Sequence, residues 1–133
     1  MTRLPKRIRK LPVFGRMTLT KGQETELDKL WALAVKKRAG MRCEHEGCYR
    51  TNLQAHHVKG RRNKTLRHVV SNGVSLCVKH HMWAEQNGVD FAIWIINKRG
   101  KEWYDSLEMM ARQIKTWKEF KITKAYLMEF IND

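Results

Sequence analysis

Residues 43–85 decide the fold of this chain and read CEHEGCYRTNLQAHHVKGRRNKTLRHVVSNGVSLCVKHHMWAE. All three cysteines of the 133-residue chain fall within this stretch. The residues that carry its chemistry follow one another in the order Cys43, Cys48, His56, His57, Asn72, Cys77, His80 and His81. Soft and borderline ligands at such short, ordered spacings predict metal binding.

Two ligand pairs in this stretch have the spacing of zinc knuckles, Cys43-x4-Cys48 and Cys77-x2-His80. Each turn allows two side chains to point at one centre, and thiolate and imidazole suit tetrahedral zinc. The pattern therefore predicts a Cys3His site for a structural zinc ion. His45 lies inside the first pair and is an alternative ligand, and free buried cysteines are the alternative to a metal site.

The polar pattern between the cysteine pairs predicts a ββα unit. Residues 53–58 and 73–77 read as antiparallel strands, and a short helix is expected from Val78 to about Glu85. A basic loop joins the strands, and its side chains are predicted to bind nucleic-acid phosphates. They are Lys59, Arg61, Arg62, Lys64 and Arg67.

The His56-His57 pair predicts a second centre. Adjacent residues on a strand point to opposite faces, so the two histidines are expected to have different roles. His81 and Glu85 lie one helical turn apart, and they are predicted to converge with His56 on a divalent metal. His57 would then act as a general base, because neutral imidazole deprotonates water near neutral pH. Asn72 is expected to bond across the loop to the backbone or ring of His57, or to be a turn residue.

Helical patterns flank this core. Residues 1–19 predict a basic, extended arm that either lies on phosphate groups or is disordered. Thr20 and Gln23 predict a capping box for a helix of about 18 residues that ends at Gly40. Residues 90–133 predict three further helices, the first capped by Asp90 and ended by Gly100, the second running through Ile114, and the third covering 125–131. The tryptophans of this tail are predicted to close over the core; they are Trp94, Trp103 and Trp117.

These patterns predict an α+β protein with one domain at 20–133, made of a core at about 40–90 and a helical tail at about 90–133. The formal net charge is +14, which favours a polyanionic partner, nucleic acid first and an anionic membrane surface second. A solubilising surface is the alternative explanation of the charge. No apolar run is long enough to cross a membrane, and an odd number of cysteines beside histidines favours a reduced, intracellular metal site over disulfides.

The combined pattern resembles the HNH (ββα-metal) endonuclease family, in particular small phage and prophage members with zinc knuckles. The resemblance covers about residues 40–90 and rests on Ala55-His56-His57-Val58, Asn72-Gly-Val-Ser-Leu-Cys77, His80-His81 and Cys43-x4-Cys48. Many members have Cys-x2-Cys in place of the first cysteine pair, and Cys-His in place of His80-His81.

The resemblance implies a role for each matching residue. His57 takes the place of the general base, Asn72 the place that orients it, and His81 that of a metal ligand, so these three are the expected catalytic residues. His56 takes the place of another metal ligand, and Glu85 lies where some members carry a further one. The implied cofactors are a structural Zn²⁺ and a catalytic divalent ion, which is Mg²⁺, Mn²⁺, Ni²⁺ or Zn²⁺.

The expected function is therefore metal-dependent hydrolysis of phosphodiester bonds in DNA, in the cytoplasm of a bacterial host cell. DNA is the expected partner, no membrane is involved, and a monomer is one open possibility for the oligomeric state. The alternative is a non-catalytic zinc-knuckle protein that binds nucleic acid, which would need the cysteines but not the His56-His57 pair. The third hypothesis is a structural or partner-binding phage protein whose metal sites only stabilise the fold.

Overall fold

The computed structural model describes residues 19–113 and 119–132, which have an α+β architecture. The described residues form five helices and one two-stranded antiparallel sheet. In chain order they are α1 (Lys21–Arg38), β1 (Leu53–His57), a 3-10 turn (Val70–Asn72), β2 (Gly73–Cys77), α2 (Val78–Gln86), α3 (Gly88–Arg99), α4 (Lys101–Ala111) and α5 (Phe120–Ile131). The predicted basic arm, apart from Leu19, and the predictions for Ile114 and Trp117 fall outside these residues.

Helix α1 begins with the predicted capping box, which the structure confirms. The Thr20 hydroxyl accepts a hydrogen bond from the Gln23 backbone N at 3.0 Å, and the Gln23 side chain accepts one from the Thr20 backbone N at 3.0 Å. The helix ends at Arg38, and the positive φ angles of Gly40 (73°) and Met41 (57°) then reverse the chain direction. The chain thereby passes from α1 directly to the first cysteine pair.

The sheet separates two hydrophobic clusters. Its register runs from Leu53 opposite Cys77 to His57 opposite Gly73. Ala55 packs with the α1–α5 cluster on one side, and Val74 belongs to the cluster formed with α2 and α3 on the other. Helix α1 approaches β2 so closely that a Cβ at position 73 would lie 2.3 Å from a Val35 methyl group, and glycine is therefore required there.

The tail helices match the predicted pattern in part. The prediction that Gly100 ends α3 is confirmed by its φ of 97° after Arg99. The prediction that Asp90 caps α3 was wrong, because α3 begins at Gly88 and Asp90 lies in its first turn. Helix α5 begins earlier than predicted, because the Glu119 carboxylate accepts hydrogen bonds from two backbone N–H groups of the first turn.

Trp94 and Trp103 pack against the α2–α3 cluster, as predicted. None of the helices in residues 19–113 and 119–132 has the length and apolar composition needed to cross a membrane.

Candidate metal centres and catalytic site

Four side chains from two distant segments converge beside the start of α2. The potential ligand atoms of Cys43, Cys48, Cys77 and His80 all lie within 4.8 Å of one another. Sγ of Cys77 lies 3.7 Å from Sγ of Cys48 and 3.2 Å from Nδ1 of His80, and Sγ of Cys43 lies 3.5 Å from the same nitrogen. Tetrahedral zinc with bonds of about 2.3 Å to sulfur separates neighbouring ligand sulfurs by roughly 3.8 Å. The predicted Cys3His group is therefore assembled with dimensions that fit zinc.

The junction of β2 and α2 supplies two of these four groups. Cys77 is the N-cap residue of α2, and its sulfur accepts a hydrogen bond from the backbone N of His80 at 3.4 Å. Cys77 is also paired with Leu53 at the end of the sheet. The strand pairing and the helix start together fix both ligands relative to each other.

Glu44 connects the first cysteine pair to β2, and no pattern in the sequence predicted this role. Its backbone N donates to the Ser75 carbonyl at 2.8 Å, and its carboxylate accepts from the Ser75 backbone N at 2.7 Å. Arg99 donates to the same carboxylate at 2.9 Å, and the two charged side chains are only 10% and 15% exposed. A carboxylate beside a cysteine gave no sequence signal for a partner 55 residues away.

His45 is not part of the Cys3His group. Its ring stacks on the ring of His80 with centroids 4.1 Å apart and an angle of 5°, and Trp94 stacks near the same ring with centroids 5.4 Å apart. His45 therefore covers the imidazole of His80 and does not belong to the group of four converging side chains.

Burial raises the pKa of the Cys43 thiol to about 11. A backbone hydrogen bond from Arg50 lowers the pKa of Cys48. Zinc binds thiolates, so metal binding here must release protons and must become stronger as the pH rises.

A second group of possible ligands lies where β1 faces α2. The ligand atoms of His56, His81 and Glu85 also lie within 4.8 Å of one another, as predicted from strand alternation and helical spacing. Nε2 of His81 lies 3.1 Å from a Glu85 carboxylate oxygen. The ring of His56 meets the ring of His81 edge to face, with centroids 5.0 Å apart.

Gln54 orients one of these imidazoles. Its side-chain oxygen contacts Nδ1 of His81. An amide oxygen only accepts, so Nδ1 carries the proton and Nε2 presents its lone pair toward Glu85. A divalent cation placed between them would accept both the Nε2 lone pair and a carboxylate lone pair. Gln54 is two residues from His56 and shares its strand face, and this alternation was the sequence signal that could have identified it.

His56 is held in the neutral form. Burial, followed by the nearby His81 and His57, lowers its pKa to about 4. Phe91 of α3 contacts its ring edge to face, with centroids 4.8 Å apart. The unprotonated imidazole is the form that binds metal, so this residue is prepared for ligation at neutral pH.

His57 points to the opposite side of the sheet, as the alternation predicted. Its ring stacks on Trp31 of α1 with centroids 3.8 Å apart and an angle of 7°. Nε2 of His57 lies 3.0 Å from the backbone carbonyl oxygen of Arg67. A carbonyl oxygen only accepts, so Nε2 carries the proton and Nδ1 has a free lone pair. Burial lowers the pKa of His57, which keeps the ring neutral and able to accept a proton at Nδ1.

Asn72 is fully buried and bonds across the loop to the backbone beyond His57, not to the His57 ring. Its side-chain oxygen accepts from the Lys59 backbone N at 2.8 Å, and its amide donates to the carbonyls of Lys59 at 3.0 Å and Leu66 at 3.1 Å. The carbonyls of its neighbours Ser71 and Gly73 accept hydrogen bonds from Arg99, at 3.1 Å and 2.9 Å, and Trp103 also donates to Ser71 at 3.1 Å. The Asn72 side chain thus joins the two ends of the loop. Arg99 and Trp103 in turn hold the backbone on both sides of Asn72 in place.

The basic loop is held largely by internal ion pairs. Lys59 pairs with Glu108 of α4, and Arg61 lies 3.3 Å from Asp28 of α1. Arg67 bonds to Asp28 and to Glu24, also in α1. Arg62 and Lys64 are exposed and form no ion pair within residues 19–113 and 119–132. Three of the five residues predicted to contact phosphate therefore have structural partners.

The arrangement provides one Cys3His group with the dimensions of a tetrahedral thiolate-imidazole site, one His2Glu group whose ligand atoms lie close enough to hold a metal ion, and one imidazole whose Nε2 faces a backbone carbonyl. Comparisons with protein-family models, with curated proteins and with solved structures found no match for this chain.

Proposed function

We propose that this protein is a metal-dependent endonuclease that hydrolyses phosphodiester bonds in DNA, with the HNH type of site that its sequence resembles. The observation that carries the proposal is the placement of two adjacent histidines of β1 in different surroundings, His56 in the His2Glu group and His57 against the Arg67 carbonyl. His56 is neutral and joins the His2Glu group, whereas His57 is neutral and has its proton on Nε2. A purely structural metal site has no use for the second histidine.

In this proposal the ring of His57 removes a proton from the attacking water through Nδ1. The Arg67 carbonyl oxygen, which accepts a hydrogen bond from Nε2 at 3.0 Å, stabilises the imidazolium that forms. His56, His81 and Glu85 would hold the divalent metal, which would supply positive charge for the scissile phosphate and the leaving oxygen. Asn72 maintains the loop that carries the carbonyl, and so acts on His57 indirectly.

The Cys3His group serves as the structural zinc site in this proposal. It joins the first knuckle to the start of α2, which carries His81 and Glu85. Zinc there would fix the helix that presents the second metal site. The charge of +14 favours DNA as the substrate, with Arg62 and Lys64 as phosphate contacts that supply affinity without sequence choice.

A plasmid cleavage assay tests the proposal. Wild type, His57→Ala and Glu85→Gln are freed of loosely bound metal and then given Mg²⁺, Mn²⁺, Ni²⁺ or Zn²⁺ in turn. Glu102→Gln is the matched control, because Glu102 is an exposed helical glutamate outside the site. We expect nicked or linear product from wild type and Glu102→Gln, and a loss of at least about 100-fold for His57→Ala.

Equal salt-sensitive DNA binding by wild type and His57→Ala, without cleavage of plasmid, nicked, branched or single-stranded DNA under any metal, would contradict the proposal. That result would favour a zinc-knuckle protein that only binds nucleic acid.

A further inference from the structure

Helix α1 contacts His57 in two ways. It packs directly against the His57 ring, and it binds Arg67, whose backbone carbonyl accepts a hydrogen bond from that ring. We propose that Trp31 and Asp28 of α1 are positioning residues for His57. Trp31 fixes the plane of the imidazole, and Asp28 fixes the Arg67 carbonyl that selects its tautomer. This inference rests on the proposed function of His57 as a general base.

Trp31 is itself held rigidly. It is 3% exposed, and its indole Nε1 donates to the Val69 carbonyl at 2.8 Å. A Cβ at position 73 would lie 2.8 Å from the indole, so β2 packs directly against this side chain. An indole fixed at both ends offers one orientation for the ring that stacks on it at 3.8 Å.

Asp28 holds the other constraint, one helical turn before Trp31. Its carboxylate accepts from Arg67 Nε at 3.0 Å and from Nη2 at 2.7 Å, which is a bidentate pair. The same carboxylate lies 2.8 Å from Nε2 of the buried His68, and Glu24 binds the remaining Arg67 nitrogen at 2.9 Å. The side chains of two consecutive loop residues are thus fastened to α1, and with them the carbonyl of residue 67.

The two constraints act on different degrees of freedom of one ring. Stacking on Trp31 restricts the tilt of the His57 plane, and the carbonyl restricts rotation within that plane. Together they hold Nδ1 in a single direction with its lone pair free. Displacing a general base by about 1 Å can lower the reaction rate about a hundredfold. A helix that carries no reacting group can therefore still control the rate through the position of His57.

Ordinary core packing would produce the same contacts as a positioning role for Trp31 and Asp28. The variants below distinguish the two. Single-turnover cleavage is measured for Trp31→Leu, Trp31→Phe and Asp28→Ala, at a temperature where every variant is folded. Leu27→Ala is the control for lost core volume, since Leu27 is fully buried in the same cluster. Glu26→Ala is the control for a lost α1 carboxylate, because Glu26 pairs with Lys124 and not with the loop.

We expect Trp31→Leu and Asp28→Ala to lower the maximal rate by about 10- to 100-fold with little change in DNA affinity. Trp31→Phe should restore most of the rate, because it keeps an aromatic face for stacking. Leu27→Ala and Glu26→Ala should keep the wild-type rate. Equal rates for Trp31→Leu, Asp28→Ala and their controls would overturn the inference.

Nitrogen NMR of histidine-labelled protein gives a second readout that does not depend on cleavage. Wild type should show His57 protonated on Nε2 alone, and the Trp31→Leu and Asp28→Ala variants should show a mixture of tautomers. A single unchanged tautomer in both variants would overturn the inference. If wild type does not cleave DNA, the proposed function fails, and these spectra still decide whether α1 positions the ring.

Discussion

The side-chain oxygen of Gln54 in β1 accepts a hydrogen bond from Nδ1 of His81 in α2. The bond joins the strand and the helix that together form the His2Glu group, and it selects the His81 tautomer whose Nε2 faces Glu85 at 3.1 Å. Mutation of a hydrogen-bond partner of a metal-binding histidine commonly weakens metal affinity by about 10- to 100-fold.

Replacing Gln54 by Leu should therefore weaken binding of the second metal by about 10- to 100-fold, because His81 loses the acceptor that fixes its tautomer. Titration calorimetry with Mn²⁺ on zinc-loaded protein measures the change. Gln86→Leu, at the exposed end of α2, is the matched control and should bind Mn²⁺ as wild type does. Unchanged affinity in Gln54→Leu would mean that the contact does not matter for the metal.

Loss of the Cys3His metal should unfold the part of the chain that holds the second site. We expect Cys77→Ser, or a strong chelator, to abolish the cooperative unfolding transition seen by circular dichroism, because structural zinc contributes about 10–16 kcal/mol in small domains. His45→Ala should retain one zinc per chain by atomic absorption, since His45 stacks on His80 and lies outside the Cys3His group. Loss of zinc in His45→Ala would place that residue among the ligands.

The buried ion pair of Glu44 and Arg99 should be essential for stability. Arg99→Met should lower the free energy of unfolding by about 3–5 kcal/mol, because the largely buried Glu44 carboxylate then lacks its cationic partner and keeps only the Ser75 backbone N–H. Urea denaturation measures the loss. Lys101→Met is the control, since the Lys101–Asp105 pair is exposed and should contribute less than about 1 kcal/mol. Similar losses in both variants would show that burial does not strengthen the Arg99 pair.

DNA affinity should depend on the two loop residues that form no ion pair with the described residues, 19–113 and 119–132. Arg62→Ala and Lys64→Ala should each reduce the slope of log K against log salt concentration by about one, as expected for one lost phosphate contact. Fluorescence anisotropy with a labelled duplex gives the slopes. Lys101→Ala, which removes an equally exposed charge from α4, should leave the slope unchanged. The assignment is wrong if all three variants have the same slope.

Local patterns predicted the elements of the fold well, because capping, strand alternation and turn glycines act over a few residues. The capping box at Thr20, the strand Gly73–Cys77 and the end of α3 at Gly100 follow from such patterns. The ligand spacings also predicted that Cys43 and His80 lie together, because each pair stands in a short turn whose two side chains can point at one centre.

The sequence could not predict the contacts between distant elements. Trp31 reads as an ordinary buried position of α1, and nothing in its spacing indicates that it stacks on a histidine 26 residues later in the numbering. The charges of Lys59 and Arg67 read as phosphate contacts until their partners on α4 and α1 are known. Pairing of charges depends on tertiary geometry, which composition does not contain.

The hydrogen bonds from Arg99 and Trp103 to the peptide groups around Asn72 have a consequence for protein engineering. The loop around Asn72 can keep its geometry only if these two residues, which lie beyond position 98, are present. Residues 40–90 alone are therefore insufficient to maintain this geometry. A transplant of residues 40–90 into another scaffold would carry every ligand and the proposed base, and would still lack the donors that hold them in register.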